Sequence, residues 1–175
     1  MPFQVLASIS GRNRWPTTPR VGAPAGGGGV DGYRFSRGFG KDVIDDLLGA
    51  TGGVDDGSID TLEFDVTIAA SDVAVYRQVS GATPVGLVLA LPATGDSVDL
   101  SNSYTAGTAG AIELVRFASG TQWDLSAMKA RVSGEVGGDA NDTLSGTAGA
   151  DLLDGRAGAD VMKPLVAEFD RCWPG

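Results

Sequence analysis

Three nine-residue segments follow one another without a gap: GGDANDTLS (137–145), GTAGADLLD (146–154) and GRAGADVMK (155–163). Asp142, Asp151 and Asp160 recur at a fixed interval, and an apolar residue (Leu144, Leu153, Met162) follows each of them two positions later. A fourth copy, GGGGVDGYR (26–34), places Asp31 and Tyr33 at the same positions. One such nonapeptide is an ordinary Gly-Asp turn. Three in tandem follow the pattern G-G-x-G-x-D-x-U-x, in which each segment makes half a coil of a parallel β-roll. The apolar residue points into the roll, and equivalent turns lie two repeats apart.

That geometry defines a site for a hard cation. Gly137, Gly146 and Gly155 open the repeats and allow backbone angles barred to other residues, so carbonyl oxygens turn inward. The Asp adds a carboxylate. Calcium takes six to eight oxygens at about 2.3–2.6 Å in flexible geometry. One turn cannot supply them, but two stacked turns can. Stacking pairs Asp142 with Asp160. Asp151 would need an acid at position 133 or 169, where Ser133 and Phe169 stand, so it has half a site. The expected metal residues are Asp142 and Asp160, with Asp151, Asp31 and the three opening glycines around them. Ala140, Thr147 and Arg156 replace consensus glycines, and Arg156 is expected to bring a positive charge towards the cation. Asp42 and Asp60 also lie two repeats apart, but Thr51 between them breaks the period.

Composition agrees. The 22 acids are 18 Asp and 4 Glu, and the net charge is −9. Such a surface repels phosphate backbones, which excludes nucleic acid as a partner. The absence of His removes metalloprotease motifs and Ser-His-Asp triads, and although Asp is plentiful no Asp or Glu pair stands out from the turn pattern as a glycosidase pair, so no catalytic residue is assigned and no enzyme activity is expected. The single Cys172 forbids an internal disulfide. No apolar run approaches the roughly 20 residues of a membrane-spanning helix. The N-terminus MPFQVLASIS has no basic stretch ahead of its apolar one and makes a poor signal peptide.

Short period-two runs bounded by Gly, Pro, Ser and Asp predict an all-β chain, a strand-rich body flanked by roll repeats. Residues 1–25 read as disordered or atypical, 26–46 as a closing repeat, 47–59 as a turn-rich connector, and 60–132 as the body. The repeats occupy 137–163, and 164–175 form an atypical tail. In the body, Leu62, Phe64 and Val66 are expected on one face, and Leu62, Phe64, Val88, Leu114 and Phe117 in the core. Residues 117–123 predict a hairpin, and 124–131 a short helix with Asp124 at its start.

These repeats resemble those of RTX (haemolysin-type calcium-binding) proteins. GGGGVDGYRFSRGFGKDVIDD (26–46) is similar to the repeat that closes an RTX array. Residues 60–132 resemble the haemolysin-type calcium-binding protein-related domain through DTLEF (60–64), the Ile68 to Val73 segment, GDSVDL (95–100) and IELVRFASGTQW (112–123). The resemblance implies calcium as cofactor, type I secretion to an extracellular destination and folding triggered by calcium. It also implies neighbouring repeats in a longer parent chain. The alternatives are a carbohydrate-binding or adhesive module facing a host surface, with Trp123, Tyr76 and Tyr104 stacking on sugars, or a non-catalytic fragment of a larger secreted enzyme or toxin.

Overall fold

The computed structural model describes residues 6–8, 30–45, 58–104, 111–147 and 149–163. The expectations for most of 1–29, 46–57 and 164–175 lie outside the described residues. Among the described residues the fold is all-β, with one short α-helix and a 3-10 turn at Ala70–Asp72. In order, the strands are β1 (Leu6–Ser8), β2 (Gly32–Phe35), β3 (Lys41–Ile44), β4 (Thr61–Phe64), β5 (Ala74–Ser80), β6 (Thr83–Leu91) and β7 (Asp96–Leu100). They continue with β8 (Leu114–Phe117), β9 (Gln122–Asp124), helix α1 (Leu125–Lys129), β10 (Val132–Val136), β11 (Thr143–Ser145), β12 (Leu152–Asp154) and β13 (Val161–Lys163).

Two sheets form the body. One has the order β1-β2-β4-β8-β9, parallel through β2, β4 and β8 and closed by antiparallel β1 and β9. The other has the order β12-β10-β5-β6-β7-β3 and mixes parallel and antiparallel pairs. Period two explains the face each side chain takes. Tyr33, Phe35, Leu62, Phe64, Val115 and Phe117 from the first sheet meet Val75, Leu87, Leu89, Leu91, Val98 and Leu100 from the second in one buried core. A run of ring contacts through Phe39, Phe35, Phe64, Phe117 and Trp123 stitches its strands together. The opposite face of the six-stranded sheet carries a small second cluster of Tyr76, Val88 and Val136.

The hairpin and the helix lie where the sequence puts them. β8 and β9 pair antiparallel across the Ser119-Gly120 turn. Asp124 caps α1, its Oδ1 accepting the Ala127 N–H at 2.6 Å. Three expectations need correction. Val66 is 87% exposed, because β4 ends at Phe64 and the chain turns. Leu114 is only half-buried: β8 pairs with β4 through Leu62↔Val115 and Phe64↔Phe117, and Leu114 has the opposite parity to those core residues. Within the segment 1–25, Leu6–Ser8 forms a strand. The edge of β2 offers unpaired backbone groups that a short extended segment satisfies.

Beyond the body successive strands fall alternately in two sheets. β10 pairs with β12 (Gly134↔Leu152), and β11 pairs with β13 (Thr143↔Val161, Leu144↔Met162), both parallel. Both registers span two nonapeptides. Leu144 is fully buried, whereas Met162, at the outer end, is 49% exposed.

Candidate metal centre

Asp142 sits between two neighbouring turns. Its Oδ1 accepts the N–H of Gly81, in the β5–β6 turn of the body, at 2.6 Å, and its Oδ2 accepts the N–H of Gly138 at 2.7 Å. Its own N–H donates to Asp160 Oδ1 at 2.9 Å, across an interval of 18 residues. Its carbonyl accepts the N–H of Val161 at 2.8 Å. Asp142 and Asp160 are therefore stacked on one edge, with Asp142 only 2% exposed.

The glycines are needed for close approach. A Cβ on Gly137 would lie 2.6 Å from the Gly155 carbonyl oxygen and 2.7 Å from Asp142 Oδ2, and one on Gly155 would collide with Asp160 Oδ2. Gly146 lies on the other edge, where its N–H donates to the Lys163 carbonyl at 2.9 Å. Asp151 is there too. The β10–β12 register sets it opposite Ser133, and among the described residues its carboxylate accepts from Thr147, the N–H at 2.6 Å and the hydroxyl at 2.8 Å. The structure thus brings Asp142 and Asp160 together and leaves Asp151 apart.

Asp31 belongs to a different stack. Its N–H donates to Asp60 Oδ1 at 2.7 Å, and the Asp60 N–H donates to Glu113 Oε2 at 2.8 Å. Thr61 N–H donates to the Asp31 carbonyl and Leu114 N–H to the Asp60 carbonyl. This is the same two-bond rung that joins Asp142 to Asp160. Asp96 makes it again with Gly40, whose N–H reaches Oδ1 at 2.9 Å while the Ser97 N–H donates to the Gly40 carbonyl. Asp42 and Asp60 do not form a stack: β3 pairs with β7, so Asp42 lies beside Val98.

Asp60, Asp96 and Glu113 are rung residues that the search for a nine-residue period does not reach. Their signal is the acid-x-apolar triplet. Asp60-Thr61-Leu62 is the same tripeptide as Asp142-Thr143-Leu144, but the rungs lie 29 and 53 residues apart. Asn141 is a further such residue, its Oδ1 accepting the Ala159 N–H at 2.9 Å from the next coil.

Arg156 does not turn towards the Asp142–Asp160 edge. Its guanidinium grips Asp99 with two bonds, Nη1 to Oδ2 at 2.8 Å and Nη2 to Oδ1 at 3.1 Å. The expectation that it brings charge to the cation is corrected: a rigid fork finds its best partner in a nearly buried carboxylate. Two of the three candidate sugar-stacking aromatics are also engaged elsewhere. Trp123 is 5% exposed and packs on Phe117 and under Arg131, and Tyr104 lies beneath Lys129.

The donor set on the Asp142–Asp160 edge is oxygen only, which suits calcium and not zinc or copper. Among the described residues no three His, Cys, Asp or Glu side chains converge, so a calcium held by Asp142 and Asp160 would draw its remaining ligands from backbone oxygens and water. The arrangement is that of a calcium-binding repeat protein of the all-β class. Residues 136–163 match the RTX calcium-binding nonapeptide repeat (4 copies), and residues 87–127 match the Haemolysin-type calcium binding protein related domain. Over these two stretches the chain is similar to haemolysin-type calcium-binding families, and RTX nonapeptide repeats bind calcium. The second match covers a narrower stretch than the 60–132 body. No curated protein matches the chain.

Proposed function

We propose that the chain is a structural module, without catalytic activity of its own, of a secreted RTX-type protein whose C-terminal repeats take up their fold on binding calcium outside the cell. The observation that carries this reading is the Asp142–Asp160 stack at an interval of 18 residues, in a region with little apolar core of its own. Leu144 is buried, but Leu152, Val161 and Met162 are about half exposed. Without a cation, stacked carboxylates repel and little burial offsets the ordering entropy of the turns. Calcium supplies the missing attraction, and its binding free energy becomes folding free energy.

Secretion fits the RTX class, whose repeats are typical of secreted proteins, and the type I route is part of this proposal. Among the described residues no helix is long and apolar enough to cross a membrane. Among the described residues β12 and β13 end their ladders, which gives a neighbouring repeat pair of a longer chain backbone edges on which to add. Circular dichroism and amide exchange in chelator and in millimolar calcium test the reading. Exchange protection in 137–163 should appear only with calcium, at an affinity of about 10⁻⁴–10⁻³ M as in other extracellular modules. Identical spectra and exchange in both conditions would sink it.

A further inference from the structure

The third repeat carries an arginine where the pattern asks for glycine. Arg156 keeps the backbone conformation of a glycine there, with φ of +60°. Its N–H donates to Asp154 Oδ1 at 3.0 Å. Its side chain then leaves the repeat altogether. It crosses a cleft of about 470 Å³, with Leu152 and Asp154 on the repeat side and Lys41 and Ser97 on the body side, and closes on Asp99 in β7.

The other hydrogen bonds of the third repeat end within the repeat or on the two repeats before it. Ala157 N–H reaches the Gly138 carbonyl, Ala159 N–H reaches Asn141, and β13 pairs with β11. Apolar burial adds little, since Val161 and Met162 are half exposed. Among the described residues, the Arg156–Asp99 pair is the one ion pair joining the repeats to strands β1 to β9. The Asp99 side chain is 8% exposed in the closed arrangement, and Gln78 is its other described partner, at 3.4 Å.

We propose that Arg156 is a positioning residue for calcium: it latches the third turn to the body and so holds Asp160 at its stacking distance from Asp142. Arg156 and Asp160 share one turn, four residues apart, so fixing one end limits the excursions of the other. The fork and the length both matter. A lysine reaches with a single point charge and cannot make the paired bonds. The proposal rests on the Asp142–Asp160 reading above. It also inverts what the repeat pattern implies, because restoring the consensus glycine should harm binding.

Calorimetric calcium titration of the full chain decides the matter. Arg156→Gly should raise the calcium Kd about tenfold, the scale of an ion pair between fully exposed and fully buried. Asp99→Asn should act in the same direction, and the double variant should be little worse than Arg156→Gly alone, because both remove one contact. Arg156→Lys should recover part of the loss. Thermal unfolding of the body in chelator should not change with Arg156→Gly, which separates a latch from general damage. A wild-type chain that takes up no calcium overturns both the module reading and the latch. A wild type that binds calcium, with Arg156→Gly matching or exceeding it, overturns the latch alone, as would additive effects of the two single variants.

Discussion

The body and the C-terminal repeats stack carboxylates with the same rung, yet they stand on different supports. In the body, Asp31, Asp60 and Glu113 lie beside a core of Phe35, Leu62, Phe64 and Leu89, each 2% exposed or less. Backbone N–H groups answer the charge of Asp60 and Glu113, and burial holds the strands. In the repeats the rung between Asp142 and Asp160 is alike to within a few tenths of an ångström, but of the two apolar residues that follow it only Leu144 is buried, and Met162 is 49% exposed. One geometry thus serves a region that holds its shape through packing and a region with much less packing beneath it. The shared rung therefore does not by itself mark which acids hold a metal.

The contrast breaks most visibly at the core. Phe64→Ala should cost about 3–5 kcal/mol, a large part of what holds a domain of this size together. Met162→Ala, at the open end, should cost less than about 1 kcal/mol, since its side chain gives up little buried area. Chemical denaturation in calcium measures both, and equal losses would mean that the repeats pack as tightly as the body.

A middle-sized effect sharpens the site. Asp142→Ala and Asp160→Ala should each weaken calcium binding at least tenfold, about 1.4 kcal/mol or more. Asp151→Ala should leave it within a factor of about two, near the scatter of a surface substitution. If titration shows Asp151→Ala to be as damaging as the others, the two edges of the coil are not independent.

The smallest effect is a matter of pH. Burial pushes the Asp96 carboxyl up, but hydrogen bonds from the Thr94 hydroxyl and the Gly40 and Gly38 N–H groups, with the Arg37 charge, bring it below the usual carboxylate range. Asp65 is likewise lowered, burial being outweighed by bonds from Ser36 and Thr67. A lowered folded value stabilises above the unfolded pKa, about 3.9, and that contribution is lost as pH falls through the folded value. Asp42 is raised by burial and by neighbouring Asp96, so its ionisation works against the fold at neutral pH and its protonation relieves this. The chelated body should therefore keep its Tm down to about pH 4 and lose it below that pH, with a smaller acid step in Asp96→Asn. A body in chelator that melts progressively from pH 7 downwards would contradict this.

The tandem copies were legible because nothing interrupts them, so one interval places Asp142, Asp160 and the strands after them. The same rung was hidden at Asp60, Asp96 and Glu113, where hairpins and loops intervene and period is no guide. Parity misled at Leu114, because alternation gives two faces without saying which is inward, and only the pairing with β4 settles it. Val66 continued a run whose strand had already ended. Arg156 looked like a flaw because its partner lies 57 residues earlier, a distance that no local pattern spans.

The rung closes across intervals of 18, 29, 53, 56 and 61 residues with the same two bonds. For a flexible segment, lengthening the ring from the shortest of these to the longest costs only about 1 kcal/mol of closure entropy. The coil is therefore a tolerant frame for grafting. New loops or hairpins can be spliced between rungs, and the acid-x-apolar triplet on the far side returns the chain to register.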